Sequence, residues 1–274
     1  MNTRIPAELK DIMADVIYTY DESFLMNIMA MRIEFTQCNS VPEYVDLMMN
    51  DEEEQKIFRS SLTVNYTGFF RNPVAFAYLK SIILPHLILD KINHNKKLIR
   101  IWAAGCSTGQ EAYSLAFLLS DLEPVISRPF SWMIFATDNQ PENLRKAEAA
   151  LYSDDEMENL TLGHARKYFT KEKSDHRVIR KINERINFSH SDLLNSSNST
   201  PVSAIFGNFD VIICANLMMY YSATIRNRIQ HTLFRALDDN GYLIIGESEH
   251  DRIINDSFQE VYPQSFIFRK IQKL

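Results

Sequence analysis

The segment Ala103-Ala104-Gly105-Cys106-Ser107-Thr108-Gly109 carries almost no side-chain bulk and joins a strand-like run to a helix-like one. Chains use such turns where backbone must approach a ligand, or where two elements pack tightly. The turn lacks the GxGxxG spacing of dinucleotide sites and the lysine of a P-loop. Both absences argue against a nicotinamide or a nucleoside triphosphate. Asp138 closes a second strand-like run, SWMIFATD. A carboxylate there can accept both hydroxyls of a ribose, or it can cap the helix that PENLRKAE begins. Glu111 falls in the first turn of the helix after the small-residue run. It either complements the helix dipole or pairs with a cationic ligand. A ligand with a ribose and a positive charge but no phosphate suggests S-adenosylmethionine.

These groups need a scaffold, and the apolar periodicity supplies one. LIRIWAA, SWMIFATD, FDVIICAN, GYLIIGES and QSFIFRK read as strands. STGQEAYSLAFLLSDL, PENLRKAEAALY and SATIRNRIQHTLFRALDD read as the helices between them. Alternation of this kind specifies an α/β fold with a mostly parallel sheet, helices on both faces and an antiparallel last strand. Residues 1–75 read as a helical domain and linker, with Ile12, Met13, Val16 and Ile17, then Leu25, Ile28, Met29 and Met31, at helical spacing. Residues 76–274 form the larger domain, with a small inserted β-subdomain over about 154–190. Within that insertion EMENLTLGHARKYF reads as a helix and RVIRKINERINFSH as one or two short strands around a charged turn.

Composition narrows the class further. Hydrophobic residues make up 46% of 274, enough for a full core. The net charge of −6 offers no basic patch for nucleic acid. Cys38, Cys106 and Cys214 have neither disulfide-framework nor zinc spacing, so a reduced, cytoplasmic setting without a bound metal is expected. The apolar run SIILPHLIL is too short to span a bilayer, and the N-terminus has no apolar signal core.

Several stretches together resemble the chemotaxis receptor methyltransferase (CheR) family. IWAAGCSTGQEAYSLA resembles its first motif, and LTVNYTGFFRNPVAFAYL its segment joining the helical and catalytic domains. FATDNQPENLRKAEAALY, FDVIICANLMMYYSATIR and GYLIIGESE follow in the family's order. The resemblance implies a class I (Rossmann-like) S-adenosylmethionine-dependent methyltransferase that esterifies glutamate side chains on chemoreceptors and releases S-adenosylhomocysteine. It places Asn65, Thr67 and Arg71 along the cofactor and reaction site, and Glu111 and Asp138 at the methionine and ribose portion. Asp192 and Leu193 would flank the adenine. Cys214, Ala215 and Asn216 would close the site, with Tyr220 assisting beside Arg71.

The chemistry suits these residue types. A glutamate carboxylate is ionised at neutral pH and needs no general base to act as a nucleophile. In-line positioning and charge control remain, and an arginine can orient an acidic acceptor through two hydrogen bonds. Phe69 and Phe70 read as core residues. The chain departs from the family where relatives commonly carry Cys-Arg-Asn, since Ala215 replaces the arginine. Gln110 replaces a frequent Glu, and Glu247 stands where a His is usual. DESFLMNIMAMRIEF holds only Arg32, whereas relatives use a basic helix to approach receptor glutamates. Two rival expectations follow: a CheR-like cofactor-binding signalling module without turnover, favoured by Ala215, and a methyltransferase for another acidic substrate, favoured by the weakly basic first domain.

Overall fold

A computed structural model describes residues 5–64, 66–195, 200–201, 208–253 and 257–271. It resolves into two compact units, one of Met1–Val64 with Met218–Arg228, the other of Asn65–Leu217 with Ile229–Leu274. The stretch 65–75, read from sequence as linker to the helical domain, therefore falls in the second unit. Residues 218–228, read as part of the catalytic domain, fall in the first.

The first unit contains α1 (Leu9–Ile12), α2 (Ala14–Thr19), α3 (Glu22–Thr36), α4 (Val41–Asn50) and α5 (Glu52–Ser61). Their starts are set by acceptor side chains. Asp21 takes the Ser23 N–H, Ser40 takes that of Glu43, and Asp51 takes those of Glu53 and Glu54. Met13, Leu25, Met29, Tyr44, Met48 and Phe58 fill the core. Met31, expected inward, is 64% exposed, because Leu25, Ile28 and Met29 already define the buried face of α3.

Arg32, the single cation of α3, turns inward. Its Nε and Nη2 donate to Glu54 Oε1 and Oε2 at 2.9 and 2.6 Å, and the Tyr44 hydroxyl donates to Glu54 at 2.7 Å. Burial raises the Glu54 pKa, but the Arg32 and Tyr44 hydrogen bonds outweigh it and leave it below its ordinary value. A depressed carboxylate stabilises the fold above its unfolded pKa, and that contribution disappears as pH falls through the folded one. Glu54→Ala should destabilise this unit by about 3–5 kcal/mol, since it strands a buried guanidinium. Chemical denaturation read at neutral pH and again at pH 3 checks this, and the difference between wild type and variant should shrink in acid.

The second unit opens with α6 (Pro73–Tyr78), which runs through a π-helical turn, Leu79–Ile83, into α7 (Leu84–Asn93). The whole run Pro73–Asn93 has the length and apolar composition to cross a membrane, longer than the SIILPHLIL run suggested. Phe76, Leu79, Ile83, Leu84, Ile88 and Ile92 nevertheless bury one face of it in the core of this unit. There follow β1 (Leu98–Ala104), α8 (Gln110–Leu122), β2 (Ser131–Asp138), α9 (Pro141–Ala149), β3 (Leu151–Tyr152), α10 (Leu162–Tyr168), β4 (Phe169–Glu172), β5 (Asp175–Val178), α11 (Arg180–Asn183) and β6 (Ile186–His190). Then come β7 (Phe209–Ile213), α12 (Ala223–Ala236, whose residues up to Arg228 belong to the first unit), β8 (Leu237–Ile244), β9 (Phe258–Glu260) and β10 (Ile267–Lys270).

Seven strands form the main sheet in the order β6-β2-β1-β7-β8-β10-β9. The first five are parallel, and β10 is antiparallel to both neighbours. Sequence patterning missed β9, a three-residue strand. It also assigned 186–190 to the insertion, yet β6 pairs with β2 from Ile134↔Ile186 to Asp138↔His190. The separate small sheet, β3-β5-β4, draws on Leu151–Val178, and the charged turn before β6 is the helical turn α11.

Candidate active site

Adjacent parallel strands β6, β2, β1 and β7 end at one edge of the sheet. In an open α/β sheet that edge is where ligands bind. Asp138 ends β2 at this edge, and just beyond it lie Ser191–Leu193, the turn Gly105–Gly109, and Cys214–Asn216. Residues named on sequence grounds from four separate stretches are thus brought together by the sheet.

The small-residue turn is built as much for packing as for approach. Gly105 has φ +72°, and a Cβ there would stand 2.6 Å from Leu217 Cδ1. Gly109, at φ +95°, begins α8, and its Cβ would meet Ala147 at 3.0 Å and the Tyr152 hydroxyl at 3.1 Å. Only glycine adopts both conformations without strain. The Gly105 and Cys106 N–H groups donate to the Thr137 carbonyl at 2.8 and 2.9 Å, which fastens the turn to the end of β2.

Asp138 is 7% exposed and already heavily engaged. Its Oδ2 accepts the Ser107 N–H at 2.8 Å, and its Oδ1 accepts the Gln140 N–H at 2.9 Å and Asn143 Nδ2 at 3.2 Å. Each carboxylate oxygen has two lone-pair sites, so these three donors leave room for one further hydrogen bond, not for both hydroxyls of a ribose. Asp138 also does not cap α9, whose N-cap is Gln140. It ties the turn after β1 to the loop after β2.

Glu111 sits on the first turn of α8 and is 8% exposed. No hydrogen bond from a described residue reaches its carboxylate. Burial pushes its pKa up to about 7, with Arg71 pulling it down and Glu249 pushing it further up. A buried carboxylate in this state favours a cation. The Ser107 Oγ is likewise buried without a partner among the described residues. These features, with the narrow Gly105 turn, suit a ligand that offers an ammonium or sulfonium charge and hydroxyl groups.

Arg71 is partly exposed. Its Nη1 donates to the Tyr66 carbonyl at 2.7 Å, and the guanidinium lies 4.7 Å from the Tyr66 ring centroid. Thr67 is half-buried, and Asn65 lies outside the described residues. Phe69 is fully buried against Phe117, Tyr152 and Phe169. Phe70 is only partly buried, and it holds φ +49°, a conformation unusual for a bulky residue.

Cys214 is fully buried and Ala215 and Asn216 are partly so. Burial pushes the thiols of Cys106 and Cys214 far above their ordinary range, so both stay protonated and neither is a nucleophile. Asn216 has φ +58°, and its N–H donates to Glu249 Oε2 at 2.8 Å. The Asp192 carboxylate accepts the Leu194 N–H at 2.9 Å, which shapes the loop after β6. Tyr220 belongs to the other compact unit, where its ring lies 4.9 Å from that of Phe24 and its carbonyl accepts the Asp21 N–H.

Sequence reasoning overlooked Glu249. It is fully buried, accepts N–H bonds from Gly246 and Asn216 at 2.9 and 2.8 Å, and adds negative potential at Glu111. Glu247, two residues earlier and the position where relatives carry a His, is exposed. Gly246 has no side chain to cap with, so G-x-x-E is not a capping-box signature, and no sequence signal marked Glu249.

A mostly parallel sheet in this order, with an antiparallel β10, is the class I, Rossmann-like methyltransferase fold. Residues 65–267 match the family described as CheR methyltransferase, SAM binding domain. The chemotaxis protein methyltransferase of Escherichia coli K12 is 29% identical over 86% of this chain and 79% of its own length. That of Borreliella burgdorferi is 31% identical over 75% and 71%, and that of Klebsiella aerogenes 28% over 89% and 80%. The chain belongs to the CheR methyltransferase family, and it is an S-adenosylmethionine-dependent enzyme.

Proposed function

We propose that this enzyme methylates glutamate side-chain carboxylates on the cytoplasmic domains of chemotaxis receptors. The observation that carries the reading is Glu111, a buried carboxylate on the first turn of α8 at the ligand edge of the sheet, with no hydrogen-bond partner among the described residues. When bound, S-adenosylmethionine supplies a sulfonium methyl that an anionic oxygen can take without prior deprotonation of that oxygen. Glu111 holds the cationic methionine end. Asp138 takes one ribose hydroxyl on its remaining lone pair. Asp192 and Leu193 border the adenine, and Cys214, Ala215 and Asn216 form the wall at the end of β7, with Thr67 and Asn65 on the segment before Arg71. Arg71 swings from Tyr66 to the acceptor carboxylate and orients it. Tyr220 enters on family resemblance, as an aid to Arg71.

Receptor docking here does not use a basic α3, because Arg32 is consumed by Glu54. Labelled methyl transfer to receptor-rich membranes, to soluble protein and to small dicarboxylic acids separates the alternatives. Transfer to membranes alone supports receptor methylation. Transfer only to the other acceptors supports a different acidic substrate. Tight cofactor binding with no transfer to any acceptor supports the signalling module that Ala215 favours.

Glu111 gives the cofactor step a pH signature. Its folded pKa is near 7, above the ordinary carboxylate value, so below pH 7 it is mostly neutral. A cationic ligand binds the ionised form, and binding strengthens as pH rises through 7. From pH 6 to 8 the affinity for S-adenosylhomocysteine should rise about tenfold, the change in ionised fraction for one group of that pKa. Glu111→Gln should bind weakly with a flat profile by calorimetry. A flat profile in the wild type excludes Glu111 as the cation's partner.

A further inference from the structure

Phe70, the residue before Arg71, is held in its left-handed conformation from three directions. Its N–H donates to Ser114 Oγ at 3.0 Å, and Ser114 in turn donates to the Gln110 carbonyl at 2.7 Å. Its ring meets Phe76 edge-on at 5.1 Å. On the third side the imidazole of His164 stacks on it, with centroids 4.9 Å apart and an 11° interplanar angle. A bulky residue at positive φ persists only where its surroundings over-determine it.

His164 is itself anchored. It lies on α10, in the insertion, and its Nε2 is 3.3 Å from Asp121 Oδ2 on α8. Asp121 is fixed by Lys167 Nζ and the Tyr168 hydroxyl, both at 2.5 Å from Oδ1. Burial raises the Asp121 pKa, but its bonds to Lys167, Tyr168 and His164 outweigh this and keep it ionised as an acceptor. The imidazole Nδ1 is buried with no partner among the described residues. Nε2 therefore carries the proton toward Asp121, and the imidazole plane is fixed against Phe70. Nothing in the cofactor chemistry uses this histidine.

We propose that His164, held by Asp121, is a positioning residue for methyl transfer: its stack on Phe70 locks the backbone from which Arg71 projects. The insertion then sets the direction of the guanidinium without touching cofactor or acceptor. The proposal rests on the role given to Arg71 above. Without the stack, Phe70 relaxes toward negative φ and Arg71 samples directions that miss the acceptor carboxylate. Small misplacements of an orienting group cost rate far more than binding.

Three substitutions separate the stack from the hydrogen bond. His164→Ala removes both, His164→Gln keeps only a donor toward Asp121, and His164→Phe keeps only the stack. Turnover with saturating cofactor on receptor-rich membranes should fall about tenfold for Ala and Gln and stay within about threefold of wild type for Phe. Calorimetric affinity for S-adenosylhomocysteine, read above pH 8 where Glu111 is ionised, should be unchanged in all three. The decisive arm adds His164→Ala to Arg71→Ala: if His164 acts through Arg71, the second change costs nothing further. A structural role alone would slow the Arg71→Ala enzyme by the same factor again, and that result overturns the proposal. Wild-type turnover in folded His164→Gln also overturns it, and this arm stands if His164→Ala does not fold. Arg71→Ala by itself decides the underlying role, because wild-type turnover there removes Arg71 and leaves the His164 variants to report stability only.

Discussion

Arg71→Ala is expected to slow methyl transfer on the order of a hundredfold with cofactor saturating, the cost of one charge-assisted contact of roughly 3 kcal/mol made mainly in the transition state. Cofactor affinity should change less, and in a pH-dependent way. Arg71 lowers the pKa of Glu111, so its removal lets Glu111 hold its proton to higher pH. The variant should bind S-adenosylhomocysteine more weakly than wild type near pH 7 and recover most of the difference above pH 8. Rate and affinity thus separate by pH. A loss of affinity equal to the loss of rate, and independent of pH, would make Arg71 a direct cofactor ligand instead.

Asp138→Ala should be the most damaging single change for cofactor binding. It removes a ribose acceptor and also strands Ser107 N–H, Gln140 N–H and the Asn143 amide, the groups that join the β1 and β2 loops. Unpaired buried donors cost about 1–3 kcal/mol each, less what water recovers. A total of about 2–4 kcal/mol should lower the melting temperature by roughly 10 °C in a unit of this size. Affinity should fall on the order of a hundredfold or more, since loop geometry and a direct bond are lost together. Asp138→Asn should resemble Ala more than wild type, because its amide must turn a donor toward Ser107 or toward Gln140 and Asn143. Unchanged affinity in a folded Asp138→Ala protein would remove Asp138 from the site.

The long periodic elements were legible from sequence because their patterns are set by a single buried environment. LIRIWAA and SWMIFATD coincide with β1 and β2, both flanked by strands and covered by helices. Errors arose where tertiary pairing decides. The strand β6 follows a charged helical turn, and only its partner β2 makes it part of the main sheet. The strand β9 has three residues, too few for any period to register. Met31 fits a helical repeat, yet it is exposed while Leu25, Ile28 and Met29 are buried. Within the site, Glu111 and Asp138 were visible as carboxylates at defined chain positions. How many donors Asp138 already serves depends on Ser107, Gln140 and Asn143 meeting in space. Glu249 reaches the ends of β7 and β8 through backbone N–H groups, which no residue type announces. The His164 stack joins residues 94 positions apart and has no pattern in sequence.

The most direct measurement follows the fate of the transferred methyl group. Receptor-rich membranes are incubated with enzyme and methyl-labelled S-adenosylmethionine, then treated with mild alkali. A methyl ester on a glutamate side chain is hydrolysed under these conditions and releases the label as volatile methanol, whereas methyl on nitrogen or an ether oxygen stays bound. The expected result is alkali-labile label on receptor glutamates, reduced about a hundredfold with Arg71→Ala. Label that survives alkali, or that appears at the same rate with Arg71→Ala, would contradict carboxylate methylation directed by Arg71.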